Sequence, residues 1–334
     1  MSFSGGRDSS AVLAAAVAVA RRDGLPLPVP VTLRQSGSEG ADETAWQELV
    51  VQQLGLDDWV RIEVADRLDL VGDIAQGVYR QVGLRLPFNL HFHQPILEVA
   101  RGGSLLTGIG GDELTSPRGQ RAVLARLRYH RRVPRRRQVR ALVKDLAPRP
   151  VRARWNHNPD DLRRQLTWLT PEGFERFARR YFPPRVKASL SWETNVRRWW
   201  TGRDREGTEV SFRLLGAAYE CHVAHPFEAE PFVHAACARY GGFGPPTRAD
   251  VVRELFGDVL PTALIERQSK AWFDSMFFTE RSRRAAEAWD GTGIDHELVD
   301  AERLRAAWAQ PQPVAGTYAL LQLVTLPQAA EAAG

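Results

Sequence analysis

Over the first 117 residues short β-rich runs alternate with helical ones, and a glycine-rich turn follows two of those runs. Residues 9–22 are alanine-rich, with no internal Gly or Pro, and predict a helix. Residues 29–33 are β-branched, with Pro30 placed where a strand begins. From Asp42 onward Trp46, Leu49, Val50 and Leu54 recur at helical spacing, and Gly55 supplies a stop. Residues 59–64 alternate like a strand, 68–82 and 94–101 read as helices, and 104–107 form a short apolar strand running into Gly108. Strands alternating with helices predict a parallel sheet covered on both faces, with ligands at the carboxyl ends of its strands. Both glycine-rich segments, residues 4–10 and 108–113, fall at predicted strand ends, so they are expected side by side.

Beyond Pro117 the pattern changes to basic helical stretches and a tryptophan-rich region (Trp168, Trp192, Trp199, Trp200) that reads as core packing, with Pro183-Pro184 and Pro245-Pro246 as breaks. The expected organisation is an α/β core over 1–117 and a large, mostly helical portion over 118–334 that completes the site. With 334 residues, 43% hydrophobic and 25% charged, the chain can bury a full core. Two cysteines, Cys221 and Cys237, exclude a disulfide framework or a cysteine-rich zinc site and fit a reducing cytoplasm. The longest apolar run near the start, residues 11–20, is too short to span a bilayer and lacks a basic leader. A cytoplasmic protein without a membrane partner is expected. The net charge of +5 is concentrated in Arg126, Arg128, Arg131, Arg132, Arg135, Arg136, Arg137, Arg140, Arg149, Arg152 and Arg154. Without interleaved aromatics this run reads as a solvated helical face, and nucleic acid is not the expected partner. His91 and His93 alternate without further ligands and do not make a metal site.

The first loop, Ser4-Gly5-Gly6-Arg7-Asp8-Ser9-Ser10, precedes a helix. Glycines let such a backbone turn tightly and present N–H groups to phosphate oxygens. Ser4, Ser9 and Ser10 add hydroxyls, and the helix N-terminus adds a favourable dipole. Asp8 repels phosphate unless a cation intervenes, which points to Mg²⁺. Only three residues precede Ser4, at the short limit for a strand, and the natural chain is expected to begin further upstream.

This loop resembles the pyrophosphate loop of the N-type ATP pyrophosphatases, and the chain resembles the synthetase domain of the asparagine synthetase family within them. Three landmarks follow in order. Asp42-Glu43-Thr44-Ala45-Trp46, then Gln53-Leu54-Gly55-Leu56, resembles the family's helix after the second strand. Residues 106–114, Leu-Thr-Gly-Ile-Gly-Gly-Asp-Glu-Leu, resemble its second glycine loop, and Leu260-Pro261, Arg267, Lys270 and Phe273 resemble its C-terminal segment. The resemblance implies an adenine nucleotide alpha hydrolase-like nucleotide-binding core using ATP and Mg²⁺. Ser4, Gly5, Gly6, Ser9 and Ser10 would hold the pyrophosphate, and Asp8 and Asp112 the Mg²⁺. Phe3, Val31 and Gly108 would lie near the nucleoside, and Lys270 would neutralise charge developing at the α-phosphate.

The departures bear on the product. The family's glutaminase domain, which begins with a nucleophilic cysteine, is absent from this chain, so a separate glutaminase, free ammonia or another amine must supply nitrogen. Ile109 replaces the Glu of the family's second loop. Aligning His225-Pro226-Phe227 with the family's Arg-x-Pro-Phe-Leu-Asp puts His222 at a Glu position and Ala229 at the Asp, with Glu220 two residues away. His222 and His225 are candidate general bases. The resemblance implies an ATP-dependent amide-forming ligase acting on a small-molecule or peptide carboxylate. Peptide macrolactam cyclases of the lasso type and β-lactam synthetases share this chemistry, and an inactive ATP- or partner-binding homologue is the reading from another class.

Overall fold

The computed structural model describes residues 1–34, 43–115, 159–186, 191–267 and 277–331, together with 136, 139, 143, 147, 148, 151 and 189. All but Arg136 of the arginine-rich run, and Lys270 and Phe273 with it, lie outside the described residues. The chain is mixed α/β, mostly helical, with short parallel sheets. It divides into two compact units that interleave along the sequence. One comprises Met1–Ala65, Phe92–Leu142 and Ser189–Phe273; the other comprises Asp66–His91, Val143–Ala188 and Asp274–Gly334.

The first unit holds the four strands found among the described residues. β1 (Val31–Arg34) pairs in parallel with β2 (Val60–Glu63), with Val31 opposite Val60. β3 (Ser104–Leu106) pairs in parallel with β4 (His222–Ala224), with Ser104 opposite His222. Residues 1–3 join the two ladders. Ser2 forms a parallel bridge to Val31, and its N–H donates to Leu106 O at 2.9 Å. The resulting order is β2, β1, residues 1–3, β3, β4, and it reverses direction between residues 1–3 and β3. At such a reversal the loops leaving neighbouring strands part and open a crevice.

Around these strands lie α1 (Arg7–Asp23), α2 (Thr44–Gln53), the short helices Gln94–Val99 and Gly111–Thr115, and Trp192–Trp200, Arg203–Ala218, Glu230–Tyr240, Arg248–Phe256 and Thr262–Glu266. The helix α1 starts two residues before its predicted bound. It ends at Gly24, whose left-handed φ of 66° suits glycine and whose N–H returns to Ala20 O. Ala11, Leu13, Ala14 and Val17 of its inner face pack in a core with Phe3, Val50, Leu54, Trp192, Val233 and Leu264. Trp192 is therefore the core group its sequence context predicts.

The second unit is helical. Asp73–Val82 begins five residues later than the sequence predicts, because Leu68 and Leu70 lie in a turn around the buried Asp69. That carboxylate accepts from Val71 N at 2.9 Å, Thr279 Oγ1 at 2.7 Å and Ser282 Oγ at 2.8 Å. Gln322, in the helix Tyr318–Glu331, donates to Leu70 O and Phe88 O at 3.1 and 3.0 Å. His91 bonds the carbonyl of Leu68 at 3.0 Å. No helix among the described residues is long and apolar enough to cross a membrane.

Candidate functional site

The first glycine loop leaves residues 1–3 from a braced base. Trp59 Nε1 donates to Thr32 Oγ1 at 3.0 Å, and that hydroxyl donates to Phe3 O at 2.8 Å. Gly5 then turns with φ 80°, and a Cβ there would lie 2.8 Å from Gln47 Cγ, so only glycine fits. Gln47 Nε2 donates to Ser4 O at 3.1 Å from beneath the loop. Ser4 Oγ and Ser9 Oγ share a hydrogen bond of 3.1 Å, the Gly6 N–H donates to Ser4 Oγ, and Ser9 Oγ donates to Gly6 O. The helix α1 begins at once, with no side-chain cap on its first-turn N–H groups. Uncapped N–H groups at the start of a 17-residue helix favour an anion.

Not every predicted loop residue is open to a ligand. Ser10 is fully buried, and its hydroxyl has no partner among the described residues. Phe3 and Val31 are core side chains whose backbones pair, Phe3 N donating to Val31 O at 2.9 Å.

The second loop leaves β3 directly against the first. A Cβ on Gly108 would lie 2.8 Å from Ser9 N and 3.0 Å from Asp8 C, and one on Gly111 would overlap the Asp8 carboxyl. The two segments expected side by side are in backbone contact. Gly110 turns with φ 88°, and a Cβ on it would lie 2.6 Å from Glu228 Cγ. Glu228 is buried, pairs with Arg205 at 3.2 Å, and has its pKa raised by burial. Thr107 Oγ1 accepts from Ile109 N at 3.3 Å and shares a hydrogen bond of 2.6 Å with His225 Nδ1. The His225 ring is buried, and burial pushes its pKa down. His222 opens β4 opposite Ser104, at the end of the sheet away from these loops, so it does not join them.

Asp8 and Asp112 converge on one guanidinium, that of Arg248, the first residue of Arg248–Phe256. Arg248 Nη1 donates to Asp112 Oδ1 at 2.5 Å, and Nη2 donates to Asp8 Oδ2. Burial raises the Asp8 pKa, and Arg248 opposes that rise. Asp8 Oδ1 is buried without a partner among the described residues. Two carboxylates within one guanidinium's span, one with an unsatisfied buried oxygen, are hard donors that fit Mg²⁺. Among the described residues no group of three or more His, Cys, Asp or Glu could cage a metal alone. A cation here would draw its remaining ligands from substrate phosphates and water, as Mg²⁺ commonly does.

The neighbouring Arg7 braces the other side. Its Nε donates to Ile265 O at 3.0 Å and its Nη2 to Arg267 O. Arg267 forms a two-pronged ion pair with Glu43, both side chains more than nine-tenths buried, and its guanidinium lies 4.9 Å from the Trp46 ring centre. This pair joins two of the landmark segments and holds the chain three residues before Lys270. Sequence reasoning missed Arg248, Gln47, Glu228 and the Glu43–Arg267 partnership. Only the last carried a signal, since both partners sit in segments that already stood out.

Short parallel strands with paired glycine loops define an α/β class; the family follows from comparison. The asparagine synthase family model matches residues 1–238, which include both loops and β4. The chain belongs to the asparagine synthase family, and that membership suggests an ATP-dependent ligase. No curated protein matches it.

Proposed function

We propose that this chain activates a carboxylate by adenylation, using ATP with Mg²⁺ and releasing pyrophosphate, so that an amine displaces AMP and an amide forms. The observation that carries this reading is the backbone contact of Gly108 and Gly111 with Asp8 and Ser9 at the uncapped start of α1. It brings the uncapped N–H groups of α1 close to two carboxylates held by one arginine, which supports a phosphate and cation site there. Asp8 and Asp112 would hold the cation, which supplies charge neutralisation to the phosphates when bound. Gly5, Gly6 and Ser9 offer donors to the pyrophosphate, and Ser4 adds the loop's exposed hydroxyl. Ser10, fully buried, supports the helix rather than the ligand. Lys270, which lies outside the described residues, would meet the charge at the α-phosphate. Positioning and charge stabilisation are then the protein's contributions to the reaction. His225, buried beside the second loop, supports that loop through Thr107.

Pyrophosphate release with ATP and Mg²⁺ should be measured across aspartate, small acids and peptides. Release with aspartate indicates an asparagine-type reaction and release with a peptide a cyclase. No release with any carboxylate overturns the ligase reading in favour of an inactive binder. Asp8→Ala and Asp112→Ala should each abolish release, and normal turnover in either removes the cation assignment.

A further inference from the structure

We infer that Arg248 is a resident counter-ion for the Asp8–Asp112 pair, which a divalent cation must displace, and that the displaced guanidinium then serves the anionic ligand of the loops. The inference deepens the proposed function and rests on it for the nucleotide half alone. Asp8 is mostly buried, with Gly111 packed against its carboxyl, and a buried carboxylate needs a partner of opposite charge. Arg248 meets that need with one nitrogen on each carboxylate. A divalent cation that bridged Asp8 and Asp112 through the oxygens Arg248 holds would meet the guanidinium at contact distance, where like charges repel.

The destination of the released arginine follows from its neighbours. Arg7 precedes Asp8 in the first turn of α1. Arg7 is tied to the carbonyls of Ile265 and Arg267, and Arg267 is neutralised by Glu43. Arg248 is thus the guanidinium whose acidic partners the cation would claim. Its contact with Asp8 places it at the first turn of α1, whose N–H groups carry no side-chain cap, and a polyphosphate bound there supplies the matching negative charge. The switch couples cation and nucleotide binding through one side chain.

The test uses Mn²⁺ as the spectroscopic probe for the cation and a non-hydrolysable ATP analogue for the nucleotide, on the full chain. Without nucleotide, Arg248→Gln should bind Mn²⁺ about tenfold more tightly than wild type, the scale of one charge-assisted contact removed. Arg248→Lys keeps a charge but, as a point donor, cannot bridge both carboxylates, so it should also bind Mn²⁺ more tightly. With Mn²⁺ saturating, Arg248→Gln should bind the analogue about tenfold more weakly, while Arg248→Lys retains most of the affinity. Unchanged or weaker Mn²⁺ binding in both variants, each checked for native circular dichroism, overturns the inference and leaves the ligase reading standing. Tighter Mn²⁺ binding in both, with no analogue binding even in wild type, keeps the counter-ion and removes the ligase reading.

Discussion

Gly108 has no side chain because the backbone of Ser9 already occupies the space, and the same holds for Gly111 against the Asp8 carboxyl. Neither residue needs a left-handed φ; they are glycine because two loops approach more closely than a Cβ allows. Gly108→Ala must therefore push the loops apart, at about 1–3 kcal/mol of overpacking. The expected outcome is a lower thermal midpoint together with loss of pyrophosphate release. An alanine variant of unchanged stability would show that the loops do not touch. Glycine at these positions was legible as a turn signal, but its cause was not, since the clashing atoms are a hundred residues away in sequence.

At the scale of elements, the Glu43–Arg267 pair ties the start of α2 to the end of Thr262–Glu266, the helix that leads toward Lys270. Both side chains are almost wholly buried, so removing one partner strands the other as an uncompensated charge. Arg267→Met should cost about 3–5 kcal/mol in urea unfolding, and the Glu43→Leu/Arg267→Met double variant should recover much of it. Equal losses from single and double variants would mean the pair contributes by packing alone. The strand β4 belongs to this scale too. The alternation read in the first 117 residues identified β1, β2 and β3, whereas β4 sits inside a stretch expected to be helical. His-Val-Ala is three residues long, and its strand character comes from pairing with Ser104, Leu105 and Leu106.

Across the whole molecule two buried histidines, one in each unit, set a shared pH response. Burial lowers the pKa of both His225 and His91, so each is neutral when folded but titrates near 6.5 once unfolded. The unfolded chain then binds more protons as pH falls, so stability is full above about 6.5 and is lost as pH drops toward the folded values. Each pH unit of separation is worth about 1.4 kcal/mol per group. Asp8 and Glu228, with raised pKa values, act in the opposite sense, favouring the folded state at acid pH. Between about pH 7.5 and 5.5, His225→Gln and His91→Gln should each remove a destabilisation on acidification that wild type shows, so their denaturation midpoints should rise relative to wild type as pH falls. An unaltered pH dependence in both variants would mean that neither ring is held neutral.

Returning to the paired loops, the order of residues alone determined the alternating elements, the two glycine turns at strand ends and the family to which the chain belongs. Those are local properties, written in spacing, propensity and short motifs. Only the tertiary structure decided that residues 1–3 stitch β1 to β3, that Ser10 faces the core, and that Arg248 bridges Asp8 and Asp112. These depend on close approach between residues as much as 240 positions apart. An arginine's partner is set by distance and burial in the folded chain, which no local pattern encodes.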